Sequence, residues 1–292
     1  MRVRSLFLVL CGWWLGAGNV LHGDALPPRT VGLSPKKGIC LTTNKTNAMT
    51  WRSKVEALDV SWHYSWGGTL PSEGLEGVEF VPMVWGYWGR SERFLGLMET
   101  LREQGRQGEV EHLLGFNEPD GKEQSNLSVE RALEAWPQLM STGLRLGSPG
   151  AVHADNEWMQ AFMEGAKEQN LRVDFVTMHW YGGPNVESLI TRIERVHQMY
   201  GKPIWITEFA VGDWEATTRE EHRYTPERVL SFMKEVLPRL EALDCVERYS
   251  WFPADEDSAA LGSSALFHRD GQLTSLGEFY RSYRAGFLHD TK

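Results

Sequence analysis

The sequence has few cysteines, and it has fewer basic than acidic residues. Only three of its 292 residues are cysteines, and Cys40 and Cys245, beyond the N-terminal segment, form either one disulfide or two buried thiols. The chain has 30 Lys and Arg against 39 Asp and Glu, which gives a formal net charge of -9. Nucleic acids and anionic membranes attract basic surfaces, so we expect neither as a partner.

Several catalytic motifs are also missing. HExxH does not occur, and no GxGxxG or P-loop follows an early strand, which argues against a zinc-protease helix and a dinucleotide-binding fold. The segment SPGAV at 148–152 lacks the flanking glycines of a nucleophile elbow. His63, His153 and His179 are the candidates for a metal site, but their neighbours are aromatic residues instead of carboxylates. We therefore expect no metal and no cofactor.

The N-terminal residues have the layout of a secretory signal peptide. Arg2 and Arg4 precede an apolar stretch from Leu6 to Leu15, and small and polar residues follow through Ala25. This stretch is too short to span a bilayer. We expect a signal peptide over 1–25, a linker over 26–35, one folded domain over 36–285 and a tail over 286–292. We expect the mature protein to be a secreted, periplasmic or cell-surface monomer outside the membrane.

Beyond the linker, short apolar runs alternate with amphipathic stretches. The runs predict eight strands, at 37–43, 58–64, 78–86, 111–118, 144–150, 174–181, 203–210 and 246–252. Between them, 91–104 and 186–200 carry apolar residues at helical spacing, and Thr225-Pro226 opens a further helix. The connection between the second and third strands is short and rich in Gly and Pro, which predicts a loop without a helix. The pattern favours a (β/α)8 TIM barrel over an open doubly wound sheet.

Polar and aromatic residues gather where the predicted strands end, whereas the strand starts read as ordinary Val, Leu and Ile. In barrels of this kind the active site lies at the C-terminal ends of the strands. The 13 tryptophans are a surplus, and such rings offer flat apolar faces to a ligand. The residues at these ends are His63, Tyr64, Trp66, Trp85, Tyr87, Trp88, Asn117, Glu118, His153, His179, Trp180, Tyr181, Glu208, Phe209, Trp251 and Phe252.

Two glutamates end apolar strands on opposite sides of the predicted barrel. Glu118 ends strand four in LLGFNEPD, and Glu208 ends strand seven in PIWITEF. Three strand–helix units separate them, so their side chains are expected to meet over the barrel mouth. Two facing carboxylates in an aromatic-walled cleft indicate glycoside hydrolysis. Considered alone, each glutamate is equally well explained as a catalytic acid or as a residue that merely ends a strand and faces solvent.

Four motifs together resemble a known family. GFNEPD, MHWYGG, WITEF and YSWF are similar to clan A retaining glycosidases, and within that clan to glycoside hydrolase family 128. The barrel of that family is related to the fungal alkali-sensitive-linkage cell-wall proteins. The resemblance covers about residues 36–285, and it implies that this segment is a glycoside hydrolase catalytic domain.

The resemblance implies a β-1,3-glucanase that cuts within chains and binds β-glucan. By position, Glu118 would be the acid/base, Glu208 the nucleophile and Asn117 a ligand of the sugar 2-hydroxyl. The other expected substrate-binding residues are Trp62, Trp66, Trp85, His179, Trp180, Tyr181 and Trp251. Two alternatives stay open: a retaining hydrolase of mannan, xylan or β-1,4-glucan, and a wall-associated barrel that binds carbohydrate without catalysis.

Overall fold

The computed structural model describes residues 32–46 and 48–286. The predicted signal peptide, most of the predicted linker and most of the predicted tail lie outside these residues. The described residues contain eight short strands; six lie within the runs that the sequence predicts, and β6 and β7 extend one residue beyond theirs. The strands are β1 (Lys37–Cys40), β2 (Trp62–Tyr64), β3 (Glu79–Phe80), β4 (His112–Leu113), β5 (Arg145–Leu146), β6 (Val176–Gly182), β7 (Ile204–Val211) and β8 (Val246–Trp251).

The strands form a closed parallel ring. Six of them pair in the order β3-β2-β1-β8-β7-β6, and β4 pairs with β5. Single parallel bridges complete the ring, from Met83 to Leu114 between β3 and β4 and from Gly147 to Phe175 between β5 and β6. A doubly wound sheet keeps two open edges, whereas this ring has none, so the prediction of a (β/α)8 barrel is confirmed.

Seven α-helices surround the strands in the described part of the chain. They are α1 (Trp51–Leu58), α2 (Glu92–Gln107), α3 (Val129–Met140), α4 (Glu157–Glu168), α5 (Val186–Tyr200), α6 (Pro226–Ala242) and α7 (Ser275–Ser282), with a 3-10 turn at Gly262–Ser264. A Ser, Thr or Asn side chain caps the N-terminus of every one of the seven by accepting a backbone N–H. No helix forms between β2 and β3, as the short connection predicted.

The sequence predicted ordinary Val, Leu and Ile at the starts of the strands, and this prediction is wrong. β3, β4 and β5 begin with Glu79, His112 and Arg145, and β8 carries Glu247 and Arg248 directly after its first residue. These residues form a network of paired charges. Each charge has partners from other strands, so the N-terminal end of the barrel is closed by ion pairs instead of by aliphatic packing.

The two carboxylates of this network are Glu79 and Glu247, and Glu247 pairs with Arg145. Glu79 accepts a hydrogen bond from His112 Nδ1 at 2.7 Å and another from Arg248 Nη2 at 2.5 Å. Burial raises the pKa of Glu79, but these two partners outweigh burial and hold it below its usual value. The Arg248 guanidinium also lies 4.2 Å from the ring centre of Trp205, a cation–π contact inside the barrel.

Cys40 and Cys245 do not pair. Cys40 is buried and Cys245 is partly buried, and both are free thiols. Among the residues that the structure describes, no helix has the length and apolar character needed to cross a membrane.

Candidate active site

A cleft of about 720 Å³ lies at the C-terminal ends of the strands. The chain segments that follow β2 to β8 all contribute to its wall, as expected for the catalytic face of such a barrel. The residues that line it are Trp66, Trp85, Asn117, Glu118, Gln124, Val152, His153, Tyr181, Glu208, Trp214, Phe252 and Leu261.

Glu118 reaches this cleft from an extended segment that continues β4. A parallel bridge joins Asn117 to Gly150, and the Glu118 N–H donates to the Gly150 carbonyl at 2.8 Å. The backbone of Glu118 has φ +37°, in the left-handed region that non-glycine residues rarely adopt. The chain turns directly after Glu118, and a hydrogen bond from the Gly121 N–H to the Glu118 carbonyl, at 2.9 Å, closes this turn. Strained backbone of this kind is often found at functional sites.

Asp120 fixes the neighbouring wall of the cleft. Its carboxylate accepts the Val152 N–H at 3.0 Å and the Asn156 side-chain amide at 2.6 Å. The Asn156 side chain is also the N-cap of α4. The loop that carries Val152 and His153 is therefore tied to the segment that carries Glu118. No role was predicted for Asp120 from the sequence.

Glu208 lies at a β-bulge in β7. Between Ile206 and Phe209 this strand has one residue more than β6 on one side and β8 on the other. Bulges re-aim side chains and are common beside active sites. Three donors surround the carboxylate: Tyr64 Oη at 2.9 Å and Trp66 Nε1 at 2.7 Å on Oε1, and Tyr181 Oη at 2.5 Å on Oε2.

Each of these donors gives a hydrogen bond to the carboxylate, so both oxygens of Glu208 are engaged. Burial, followed by the negative charge of Glu208, raises the pKa of Tyr64 and of Tyr181 well above the usual value. Both hydroxyls therefore keep their protons and remain donors across the range in which proteins are stable.

His179 lies between the two glutamates. Its Nδ1 is 2.9 Å from Glu118 Oε1, and its Nε2 is 3.6 Å from Glu208 Oε1. Burial lowers the pKa of His179, but the charges of Glu208 and Glu118 and the hydrogen bond to Glu118 outweigh it, so the pKa is raised. The imidazole therefore favours its cationic form between two acids.

Glu118, His179 and Glu208 each offer one potential metal-ligand atom, and these atoms lie within 4.8 Å of one another. These three side chains already make hydrogen bonds within the protein, however. Nδ1 of His179 is engaged by Glu118, both oxygens of Glu208 accept protein donors, and a protonated imidazole repels a cation. The donor set therefore suits an acid–base site better than a metal site.

The three histidines considered for a metal do not gather. His153 lines the cleft and His179 lies between the glutamates, whereas His63 is fully buried on the other face of β2. The His63 ring stacks on Trp51 of α1 at a centroid distance of 5.2 Å. Burial lowers the pKa of His63 to about 4, so this ring is neutral at ordinary pH.

The structure brings most of the predicted site residues together. Asn117, Trp66, Trp85 and Tyr181 line the cleft with the two glutamates, and His179 touches Glu118. The Asn117 side chain is nearly buried and donates to Gln124 at 3.2 Å, while its Oδ1 has no hydrogen-bond partner among the described residues. A buried acceptor without a partner at the edge of a cleft suits a ligand hydroxyl.

Three predicted sugar contacts are corrected. Trp62 and Trp251 have no exposed surface; their indole N–H groups donate to the Lys36 and Ser264 carbonyls. Trp180 stacks on Phe232 of α6 at 5.6 Å, outside the cleft. Side chains alternate along a strand, so Trp180 points away from the mouth while His179 and Tyr181 on either side point into it.

Sequence reasoning missed several residues of the site. Tyr64 was noted only as a strand end, although it lies two residues after Trp62 on the inner face of β2 and donates to Glu208. Trp214 lies in the loop after β7, 63% exposed, and packs edge-on against Tyr181. No local pattern distinguishes a loop tryptophan that faces a cleft. Gln124, Val152 and Leu261 carried no sequence signal.

Two carboxylates at the ends of β4 and β7, brought together by a closed parallel barrel, define the class to which this protein belongs: it is a glycoside hydrolase. The chain is a member of the family described as the glycosyl hydrolase catalytic core, whose family model matches residues 38–280.

Solved structures of glycoside hydrolase family 128 are similar to this chain. A subgroup I endo-β-1,3-glucanase from Amycolatopsis mediterranei, in complex with laminaritriose, is 31% identical with a TM-score of 0.70, over 85% of this chain and 99% of that one. A subgroup III curdlan-specific exo-β-1,3-glucanase from Blastomyces gilchristii is 30% identical with a TM-score of 0.64, over 85% and 98%.

A curated relative is also similar. Alkali-sensitive linkage protein 1 of Schizosaccharomyces pombe is 34% identical over 182 residues, which is 58% of this chain. The match covers 32% of that protein, so the chain spans about a third of the length of the curated relative.

Proposed function

We propose that this glycoside hydrolase cleaves β-1,3-glucan at internal linkages and retains the anomeric configuration. The observation that carries the proposal is the short gap between the two acids. A carboxylate oxygen of Glu118 and one of Glu208 lie within 4.8 Å of each other. Retaining enzymes hold their carboxyl groups about 5–5.5 Å apart, whereas inverting enzymes need roughly 6.5–9.5 Å to admit a water.

Glu208 is the nucleophile in this proposal. The hydrogen bonds from Tyr64, Trp66 and Tyr181 fix the orientation of its carboxylate. Its attack on the anomeric carbon forms a glycosyl ester while the bond to the departing sugar breaks.

Glu118 is the acid and then the base. As the glycosidic bond breaks, Glu118 donates a proton to the departing oxygen. The loss of that proton leaves Glu118 as a carboxylate, with Oε1 2.9 Å from His179 Nδ1. Glu118 then accepts a proton from the water that hydrolyses the ester.

The substrate assignment rests on the relatives. The similar structures from Amycolatopsis mediterranei and Blastomyces gilchristii are named as β-1,3-glucanases, the first an endo-acting and the second an exo-acting enzyme. The endo-acting relative has the higher TM-score, 0.70 against 0.64, at the same 85% coverage of this chain, and this supports internal cleavage. The alternative of another β-linked polysaccharide has no such support, and a binding barrel has no need of two paired acids.

We also propose that the protein acts outside the cytoplasm, because the N-terminal residues have the layout of a signal peptide. Mass spectrometry of the N-terminus of the protein purified from culture medium tests this. An intact N-terminus on a protein retained inside the cell would contradict it.

The decisive experiment compares reducing-end release from β-1,3-glucan, β-1,4-glucan, mannan and xylan by the wild type, Glu118→Gln and Glu208→Gln. We expect cleavage of β-1,3-glucan by the wild type and a loss of at least about 10³-fold in kcat in each variant. NMR of the first products checks that they carry the β configuration. Residual full activity in either variant would refute the mechanism, and cleavage of mannan but not β-1,3-glucan would refute the substrate.

A further inference from the structure

The loop after β7 contains a buried acid that the proposed mechanism does not use. Asp213 is 1% exposed. Its carboxylate accepts hydrogen bonds from the Arg223 backbone N–H at 2.9 Å and from the Arg223 Nε and Nη2 atoms at 2.9 and 2.5 Å. The guanidinium contact is bidentate, which fixes the geometry of both groups. Asp213 and Arg223 therefore join the two ends of the segment 213–223, which we call the β7 loop.

The β7 loop is also fastened to the segment that follows β8. The Asp213 N–H donates to the Ala260 carbonyl at 2.8 Å, and Nε2 of His222 lies 3.0 Å from the same oxygen. Arg219 Nη1 donates to the Ser263 hydroxyl at 3.1 Å. The β7 loop is therefore held both at its own ends and against its neighbour.

Trp214 directly follows Asp213 and lines the cleft. Its ring packs edge-on against Tyr181, with ring centroids 5.8 Å apart and an angle of 76°. Phe252 also meets the Tyr181 ring edge-on, at 5.5 Å. The Tyr181 hydroxyl donates to Glu208 Oε2 at 2.5 Å. A displacement of Trp214 therefore removes a ring that holds Tyr181 in place beside the nucleophile.

The position of Trp214 depends on the backbone before it. The side chain is 63% exposed, so it buries little apolar surface that could fix it independently. The backbone of Asp213, in contrast, is fixed at both polar groups, because its N–H donates to Ala260 and its carbonyl accepts the Ala216 N–H at 3.2 Å. The ion pair with Arg223 fixes the side chain of the same residue.

We propose that the Asp213–Arg223 pair is a positioning element of the active site, which holds Trp214 against Tyr181 and so keeps the Tyr181 hydroxyl on Glu208. This inference rests on the proposed function and adds two residues to it. Neither residue lines the cleft, so both act through Trp214 and Tyr181 and not by contact with substrate.

A double-mutant cycle tests the connection to Tyr181. We expect Asp213→Ala to lower kcat on β-1,3-glucan by about tenfold, but by less than about twofold in the Tyr181→Phe background, where the hydroxyl that the pair positions is already absent. A general loss of stability would lower kcat by the same factor in both backgrounds. Equal factors, or no loss in either background, would overturn the inference.

Arg223 provides a second variant in case Asp213→Ala does not fold. The Arg223 side chain is 54% exposed, so its removal leaves no cavity in the core. We expect Arg223→Ala to lower kcat with the same dependence on Tyr181. Arg223→Lys keeps the positive charge but not the bidentate contact, and it should recover part of the loss. Arg223→Ala with the kcat of the wild type would contradict the proposal.

Limited trypsin digestion tests the β7 loop without any substrate. Arg219 lies inside the loop in the wild type and in Asp213→Ala alike, and we expect faster cleavage after Arg219 in the variant, because the freed loop opens more often. If the wild type cuts no β-1,3-glucan, the proposed function fails, and the digestion then decides about the pair alone. Unchanged cleavage in Asp213→Ala would overturn the positioning role.

Asp174→Ala is the matched control. Asp174 also accepts hydrogen bonds from an arginine side chain, that of Arg172, and from a backbone N–H, that of Leu146. It lies before the start of β6, at the opposite end of the barrel from the cleft. This variant should keep the kcat of the wild type and its rate of cleavage after Arg219. A loss of kcat equal to that of Asp213→Ala would contradict the proposal.

Discussion

The Tyr181 hydroxyl donates a 2.5 Å hydrogen bond to Oε2 of Glu208, the proposed nucleophile. Removal of its hydroxyl leaves the ring and its packing but takes away the only described donor to that oxygen. We expect Tyr181→Phe to lower kcat by about 10²-fold, in the range known for the loss of a donor that stabilises charge in an active site. Initial rates on β-1,3-glucan measure this.

Tyr200→Phe is the matched control for that change. The Tyr200 hydroxyl also makes one hydrogen bond, to the Ala154 carbonyl at 2.8 Å, but it lies outside the cleft. An equal loss of kcat in both variants would mean that Tyr181 acts through stability and not through Glu208.

Asp120 acts on the site without lining it. Because Asp120→Ala leaves the Val152 N–H and the Asn156 amide without an acceptor, we expect a cost of about 1–3 kcal/mol in the free energy of unfolding. The freed loop carries His153, so we also expect kcat/KM to fall by about tenfold. Chemical denaturation and kinetics measure the two effects.

Asp257→Ala is a suitable comparison for Asp120, because Asp257 makes an exposed ion pair with Arg269. Exposed pairs contribute about 0–1 kcal/mol, so this variant should keep nearly full stability and activity. Unchanged activity in Asp120→Ala would show that Glu118 holds its position without the tie to the α4 loop.

At the scale of the elements, the charged network at the N-terminal end of the barrel links stability to pH. Burial raises the pKa of Glu79 and of Glu247, but hydrogen bonds from His112 and Arg248 and from Arg145 and Trp205 outweigh burial and lower both values. A carboxyl whose pKa is lower in the folded state stabilises the fold above its unfolded pKa of about 4.3, and loses this as pH falls.

We therefore expect the free energy of unfolding to decline as pH falls below about 5. Glu79→Gln should be less stable than the wild type at pH 7, and its stability should fall less steeply with acid. Denaturant unfolding between pH 7 and pH 3 measures both slopes. Parallel slopes for the two proteins would show that Glu79 does not contribute to acid unfolding.

The bulge in β7 is the second feature at this scale. Without the extra residue between Ile206 and Phe209, the pairing with β6 would place the end of β7 one residue out of register, and side chains beyond it would change faces. The position of Glu208 opposite His179 therefore depends on an irregularity and not on simple alternation.

At the scale of the whole molecule, barrel closure brings hydrogen-bonding side chains from four strands together at the site. Tyr64 comes from β2, Glu118 from the end of β4, His179 and Tyr181 from β6 and Glu208 from β7. Because these side chains are held by hydrogen bonds to one another, we expect prolonged treatment with EDTA to leave activity unchanged. A loss of activity that added divalent cation restores would contradict this and point to the Glu118–His179–Glu208 cluster as a metal site.

Most of the fold was predictable because it follows from local patterns. Apolar runs predicted all eight strands, the spacing of 186–200 predicted α5 with the bounds that the structure shows, and the short connection predicted the absence of a helix between β2 and β3. The two glutamates were predictable because an acid that ends a buried strand is locally unusual. It was not predictable that Trp62, Trp180 and Trp251 lie outside the cleft, since the side of a strand that faces the mouth depends on pairing with distant strands.

The sequence by itself determined where the strands and helices form, because hydrophobic periodicity and capping residues act over a few neighbours. It also determined that two acids end strands four and seven. Only the tertiary structure decided that Trp66 and Tyr64 hold Glu208, that His179 lies between the acids and that charges close the other end of the barrel. These features join residues far apart in the chain, and their geometry arises only when the ring of strands closes.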